Sequence, residues 1–240
     1  MVLVLFHNLT NKDKSEAVER LIKGSTPSQD FFFMIMLSIL TATFGLLLNS
    51  AAIIIGSMLI APMLYPVLSL SLGIIMSDST LIARAFYTTL KALVFGVAAA
   101  FLASLLFNSQ LNEITPEILS RTQPTLPYLI VAIISGFAGS FALVKPKLSE
   151  TLPGIAISVA LIPPIAVTGI GMAKFNWEVI SGSFLLFLVN ATGIIFASLI
   201  TFSMMNFYVK RGQAHKTAVT EDHKQKEEQE KIKEEIDHNK

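Results

Sequence analysis

At 240 residues, with 52% apolar and only 15% charged positions, the chain carries far less charge than the roughly one quarter usual in soluble domains. Of its 35 charged residues, 8 lie in 1–30 and 16 in 210–240, which leaves 11 for the 179 residues between. That middle stretch cannot furnish a water-facing surface, and with no cysteine and a net charge of +1 the sequence excludes a soluble enzyme, a disulfide scaffold and a nucleic-acid binder.

The opening run Met1–Phe6 is too short for a signal-peptide core. Residues 11–24 read as a short amphipathic helix: Asp13 and Glu16 fit a capping-box-like spacing, Val18, Leu21 and Ile22 share a face, and Gly24 ends it. Such a helix lies at the membrane surface or packs on the bundle. Six apolar segments follow, Phe31–Leu48, Ala51–Met76, Ala85–Phe107, Tyr128–Val144, Ile155–Ile170 and Ser183–Tyr208. Each approaches the ~17–25 residues that cross a hydrocarbon core as a helix, and none shows the dyad alternation of a barrel strand. The expected fold is therefore all-α, a polytopic membrane protein of six transmembrane helices, because a helix satisfies its own backbone in lipid. From Thr220 onward Lys and Glu alternate with only Ile232 and Ile236 as apolar contacts, so the tail reads as a solvated helix or as disordered. The organisation is thus 1–30 as an N-terminal segment, 31–209 as the membrane domain and 210–240 as a charged tail.

Loop charges orient the chain. Ten Lys and Arg (Lys12, Lys14, Arg20, Lys23, Arg84, Lys145, Lys147, Lys210, Arg211 and Lys216) fall on one side, and two, Arg121 and Lys174, on the other. The positive-inside rule then makes both termini cytoplasmic, as an even number of spans requires.

The second and fifth segments share a pattern, Ser57 to Pro62 against Ser158 to Pro163, S-x-x-x-x-P at a shift of 101 residues, each with a second proline close by (Pro66, Pro164). The third and sixth echo one another more weakly at a shift of 94, Ala103 to Leu106 against Ala197 to Ile200. Three spans per half make the halves an inverted repeat whose second and fifth helices are broken by proline. Paired broken helices of this kind mark transporter sites, although proline also merely shapes packing. The substrate-binding candidates are Ser57, Pro62, Tyr65, Pro66, Ser158, Pro163, Pro164, Thr168 and Asn190. Half-helices beginning at Pro66 or Pro164 offer N-terminal partial charge and free N–H groups, with hydroxyls from Ser57, Ser158, Tyr65 and Thr168 nearby. Asn190, the carboxamide well inside the sixth span, either bonds across helices or meets a solute. No Asp, Glu, His or Arg lies mid-span, and Lys91 is placed to snorkel to the interface. The chain shows no catalytic constellation, no metal-ligand spacing among His215, His223 and His238, and no cofactor motif.

The stretch from Asn49 to Pro66, N-S-A-A-I-I-I-G-S-M-L-I-A-P-M-L-Y-P, followed by Ser71-Leu72-Gly73 and by L-P-G-I-A-I-S-V-A-L-I-P-P from Leu152 to Pro164, resembles the signature of the "uncharacterised hydrophobic domain" membrane proteins, domain of unknown function 389. The likeness covers residues 30–205. It implies a multi-pass inner-membrane protein of bacteria or archaea and no particular substrate. Many relatives resemble each other in a larger soluble N-terminal domain, which 30 residues cannot form. Two functions stay open on the residues: a transporter or channel for a small anionic or neutral solute with its site between the broken helices, and a non-transporting scaffold or sensor that recruits a cytoplasmic partner through the tail. The expected partners are the lipid bilayer, a small solute and a second copy of the chain, since Gly45, Gly56, Gly73, Gly96, Gly136 and Gly139 suit close helix contacts within or between chains.

Overall fold

The computed structural model describes residues 10–107, 114–145, 148 and 161–238. Among the described residues the protein is all-α: α1 Asn11–Gly24, α2 Gln29–Leu47, α3 Ala51–Ile60, α4 Leu64–Met76, α5 Ser79–Phe107, α6 Pro116–Leu119, α7 Leu126–Val144, α8 Ile162–Ala173 and α9 Trp177–Met204, then a 3-10 turn at Phe207–Lys210 and α10 Arg211–His238. Helices α2, α5, α7 and α9 are long and apolar enough to cross a membrane, and α3 with α4, bent by 52° where they join, make a fifth candidate. Six spans are expected from sequence. The early part of the fifth, 155–160, lies outside the described residues, and α8, its later part, has 12 residues, too few to cross alone.

Two helices start earlier than their apolar runs. α5 begins at Ser79, not Ala85, because Asp78 Oδ1 accepts the amides of Thr80 and Leu81 at 3.0 and 3.2 Å. α9 begins at Trp177, not Ser183, because Asn176 Oδ1 accepts the Val179 amide at 3.1 Å. Both caps satisfy orphan first-turn donors, which hydropathy does not register. Each cap follows a tight reversal. Ser77 (φ 49°) and Phe175 (φ 51°) take the left-handed conformation, and the amides of Asp78 and Asn176 reach back to Gly73 O and Gly171 O, both at 3.0 Å.

The bundle is sorted by side-chain size. Along α5 the residues Ala85, Thr88, Ala92, Gly96, Ala100 and Ala103 face inward. Phe86, Val94, Phe95, Leu102 and Leu106 point out. Small residues inside let backbones approach, and large ones outside suit lipid. α8 lies at the centre, packed on α2, α5 and α9, with every residue from Ile162 to Ala173 buried except Met172. Its contact with α5 depends on Gly169: a Cβ there would lie 2.5 Å from Ala100 Cβ and 2.6 Å from Val97 O. α7 packs along α9, and α4 packs on both α5 and α9. Hydroxyls in this apolar setting bond back to their own helix, as in Thr43 to Ile39 O (2.8 Å), Ser140 to Gly136 O (2.6 Å) and Thr201 to Ala197 O (3.0 Å).

α1 has the bounds expected, but its capping box is Thr10 with Asp13, not Asp13 with Glu16: Thr10 Oγ1 accepts the Asp13 amide at 3.1 Å, and Asp13 Oδ2 accepts the Thr10 amide at 2.9 Å. These bonds hold the Asp13 carboxyl below its ordinary pKa. α1 packs on the bundle, with Ala17, Val18, Leu21 and Ile22 buried. The tail is helical, and its first turns dock, with Ala214 and Ala218 fully buried. Deleting 225–240 should therefore leave the thermal midpoint in detergent unchanged. Deleting 211–240 should lower it, because only that cut uncovers buried apolar surface.

Candidate functional site

The break between α3 and α4 spans Ala61–Met63. Ser57, one turn before it, is fully buried, with its hydroxyl donating to Ile54 O at 2.6 Å. Its own carbonyl, in the last turn of α3, accepts from Ser38 Oγ of α2 at 2.7 Å. One carbonyl in the last turn of α3 is thus answered by a neighbouring helix. Pro62 is half-buried in the break and Pro66 is buried in the first turn of α4. Tyr65 packs its ring on Gly24 at the end of α1.

In the second half, Pro163 and Pro164 are buried in the first turn of α8, and Thr168 follows one turn on. Thr168 Oγ1 donates to Pro164 O and shares a hydrogen bond with Ser183 Oγ of α9, both at 2.8 Å. Asn190 is buried on α9. Ser158 lies outside the described residues. The described hydrogen bonds of Ser57 and Thr168, and the ring contact of Tyr65, run to three different neighbours, α2, α9 and α1.

The half-helices do not begin at their prolines. α4 starts at Leu64 and α8 at Ile162, each two residues earlier. Prolines in a first turn delete N–H groups that have no intrahelical acceptor, one in α4 and two in α8. Leu64, Tyr65 and Ile162 keep theirs. The residues preceding these helices, Met63 and Leu161, are buried and apolar and give no side-chain cap. α1, α2, α6 and α9 are instead capped by Thr10, Ser28, Thr115 and Asn176. Two buried helix N-termini thus keep their partial positive charge unanswered by the capping residue.

Two features were not legible in the sequence. An apolar cavity of about 320 Å³ lies between α4, α5 and α9, lined among others by Val67, Phe86, Leu90, Phe187 and Ile195. A polar junction also forms where α1, α5 and α10 meet. Arg84 Nη2 donates to Thr26 Oγ1 at 2.7 Å, Nη1 reaches Ala218 O at 3.5 Å, and Nε stands 3.0 Å from Asp222 Oδ1 as an ion pair. Beside it Asp78 Oδ2 lies 3.1 Å from His215 Nδ1. Their partners are 58 to 137 residues away in sequence, beyond any local signal. The Lys91 ammonium lies over the Tyr87 ring, 4.4 Å from its centroid.

Long apolar helices that point Phe, Leu and Ile outward define the class, an α-helical membrane protein. The chain belongs to the family described as domain of unknown function (DUF389), whose family model matches residues 58–196. It is similar to an uncharacterised protein of Methanocaldococcus jannaschii, 29% identical over 204 residues, 81% of this chain and 63% of that protein. The chain therefore spans less than two thirds of that relative's length. No solved structure matches it.

Proposed function

We propose that this is a multi-pass inner-membrane protein of two inverted three-helix halves, which moves a small neutral or anionic solute past the paired half-helices α4 and α8. The observation that carries the reading is the correspondence of the halves. α4 and α8 begin 98 residues apart, at Leu64 and Ile162, with Pro66 and Pro164 each third in the helix. The left-handed Ser77 and Phe175, and the capping Asp78 and Asn176, keep that same spacing. So do two close approaches: a Cβ on Gly73 would lie 2.9 Å from the Ile82 amide, and one on Gly171 3.1 Å from the Ile180 amide. α2 and α7 are both 19 residues long. α5 meets α2 where Gly96 faces Ile39, and α9 meets α7 where Ile194 faces Gly136, the same crossing with the glycine on the other partner. This pairs Pro66 with Pro164, in place of the pairing of Pro62 with Pro163 read from the S-x-x-x-x-P pattern.

The halves also exchange partners, α8 lying on α5 and α4 on α9. A 52° bend carries the chain onward instead of doubling it back, so α3 and α4 count as one broken crossing. Three crossings per half invert the second, and paired half-helices are where carriers hold solutes. The uncapped N-termini favour a neutral or anionic solute over a cation. Flux of chloride, phosphate and glycerol in proteoliposomes tests this. At least one should exceed protein-free vesicles, and Pro66→Ala with Pro164→Ala, which restores two N–H groups at the breaks, should change its rate without loss of assembly. A well-folded protein inert to all three would favour the scaffold reading, which rests on the exposed outer part of α10 with its charges of both signs.

Orientation is tested separately. Single cysteines at Ser109 and Ser149 in this cysteine-free chain should label from opposite sides of the membrane, with Ser149 on the side of both termini. Labelling from one side only would overturn the inverted arrangement.

A further inference from the structure

We propose that α1 is a movable closure over the start of α4, held shut by Arg84; the proposal deepens the transport reading and names the regulation of its site. α1 lies directly on the first turns after the break. Gly24 sits against the Tyr65 ring, where a Cβ would come within 2.7 Å of Cγ. Ser69 Oγ lies 3.0 Å from both Leu21 O and Ser25 Oγ. The apolar row Ala17, Val18, Leu21 and Ile22 is sealed against α4, α7, the 3-10 turn and α10. α1 thus covers this side of α4 from Tyr65 to Ser69.

Three features make α1 a closure and not a fixed wall. Its outer face is polar, carrying Lys12, Lys14, Glu16, Glu19, Arg20 and Lys23. An amphipathic helix of this kind has a second resting place, the lipid interface, where its apolar row is also covered. Its tether to α2, residues 25–28, belongs to neither helix. A polar lock sits at its foot. Arg84, 8% exposed, bonds Thr26 at the foot of α1 and pairs with Asp222 of α10. Arg84 thereby couples the tail to the closure: a partner that draws α10 away removes the counter-charge from Arg84 and loosens its hold on Thr26.

The test reads water access, not flux, so its result is independent of whether the solute has been found. Ser69→Cys, alone in this cysteine-free chain, is exposed to a membrane-impermeant maleimide applied from the face carrying the termini. Labelling should be slow with Arg84 intact and about tenfold or more faster with Arg84→Gln, as local opening becomes populated. Asp222→Asn, at a half-exposed position, should give a smaller rise in the same direction and guards against a folding defect in the first variant. Ser25→Cys with Ser69→Cys should cross-link under mild oxidation, as the 3.0 Å contact between these side chains requires. Fast labelling with Arg84 intact would show that α1 does not cover α4. Slow labelling in both well-folded variants would show a fixed structural helix, and either result overturns the proposal.

Discussion

Replacing Gly169 with leucine is expected to abolish the folded bundle. α8 touches α5 backbone to backbone at this point: even a methyl group would sit 2.6 Å from Val97 O and 2.9 Å from the Phe101 amide nitrogen. Neither atom belongs to a side chain that can rotate away, so the helices must separate. Separation would loosen the contacts α8 makes with α2 and α9 as well, because its surface is buried almost all round. Gly169→Ala should cost about 2–3 kcal/mol, the upper end for overpacking, and the larger Gly169→Leu should exceed a typical domain's margin of stability. Gly56 is the control. A Cβ there meets nothing within 4 Å, so Gly56→Ala should be neutral or stabilising by up to about 1 kcal/mol from helix propensity. Thermal midpoints and monodisperse yield in detergent read both. Equal loss at the two positions would mean the close approach of α8 to α5 does not exist.

Asp78→Ala should give the largest loss among the polar side chains. Asp78 is 4% exposed, and its two oxygens do different things. Oδ1 caps α5 through Thr80 and Leu81, and Oδ2 meets His215 of α10. Alanine removes the cap and strands the buried Leu81 amide, for a loss of about 1–2 kcal/mol. Asp78→Asn keeps an oxygen for the cap and should lose less than about 1 kcal/mol. If the two variants lose equally, the contact with His215 and not the cap is what stabilises this corner.

The parts of the fold legible in the amino-acid sequence are those fixed by local chemistry. A contiguous apolar run has one stable form in lipid, so the helices α2, α5, α7 and α9 lie close to where hydropathy puts them, and residues 11–24 form the predicted α1. The misplaced starts of α5 and α9 have a common cause: a capping Asp or Asn adds a turn of polar helix that hydropathy counts as loop. The site was legible only in outline. Proline announces a break, but the next helix begins two residues before it, because a first turn has donors to spare.

Composition and hydropathy by themselves determined that this is a helical membrane chain with a charged tail and a disrupted second segment, since burial in lipid is decided residue by residue along the run. Tertiary structure alone brought out the features that recur at one constant spacing, on which the proposed correspondence of the halves rests. That spacing is carried by Gly73 and Gly171, Ser77 and Phe175, Asp78 and Asn176. Two of these three pairs differ in residue type and coincide only in backbone conformation or capping role. It also decided that Ser57 and Thr168 spend their hydroxyls on helix carbonyls, and that Arg84 ties α1 to α10. A hydroxyl or guanidinium bonds whatever acceptor packing brings within about 3 Å, and packing is set by the shapes of whole helices, not by the letters beside the residue.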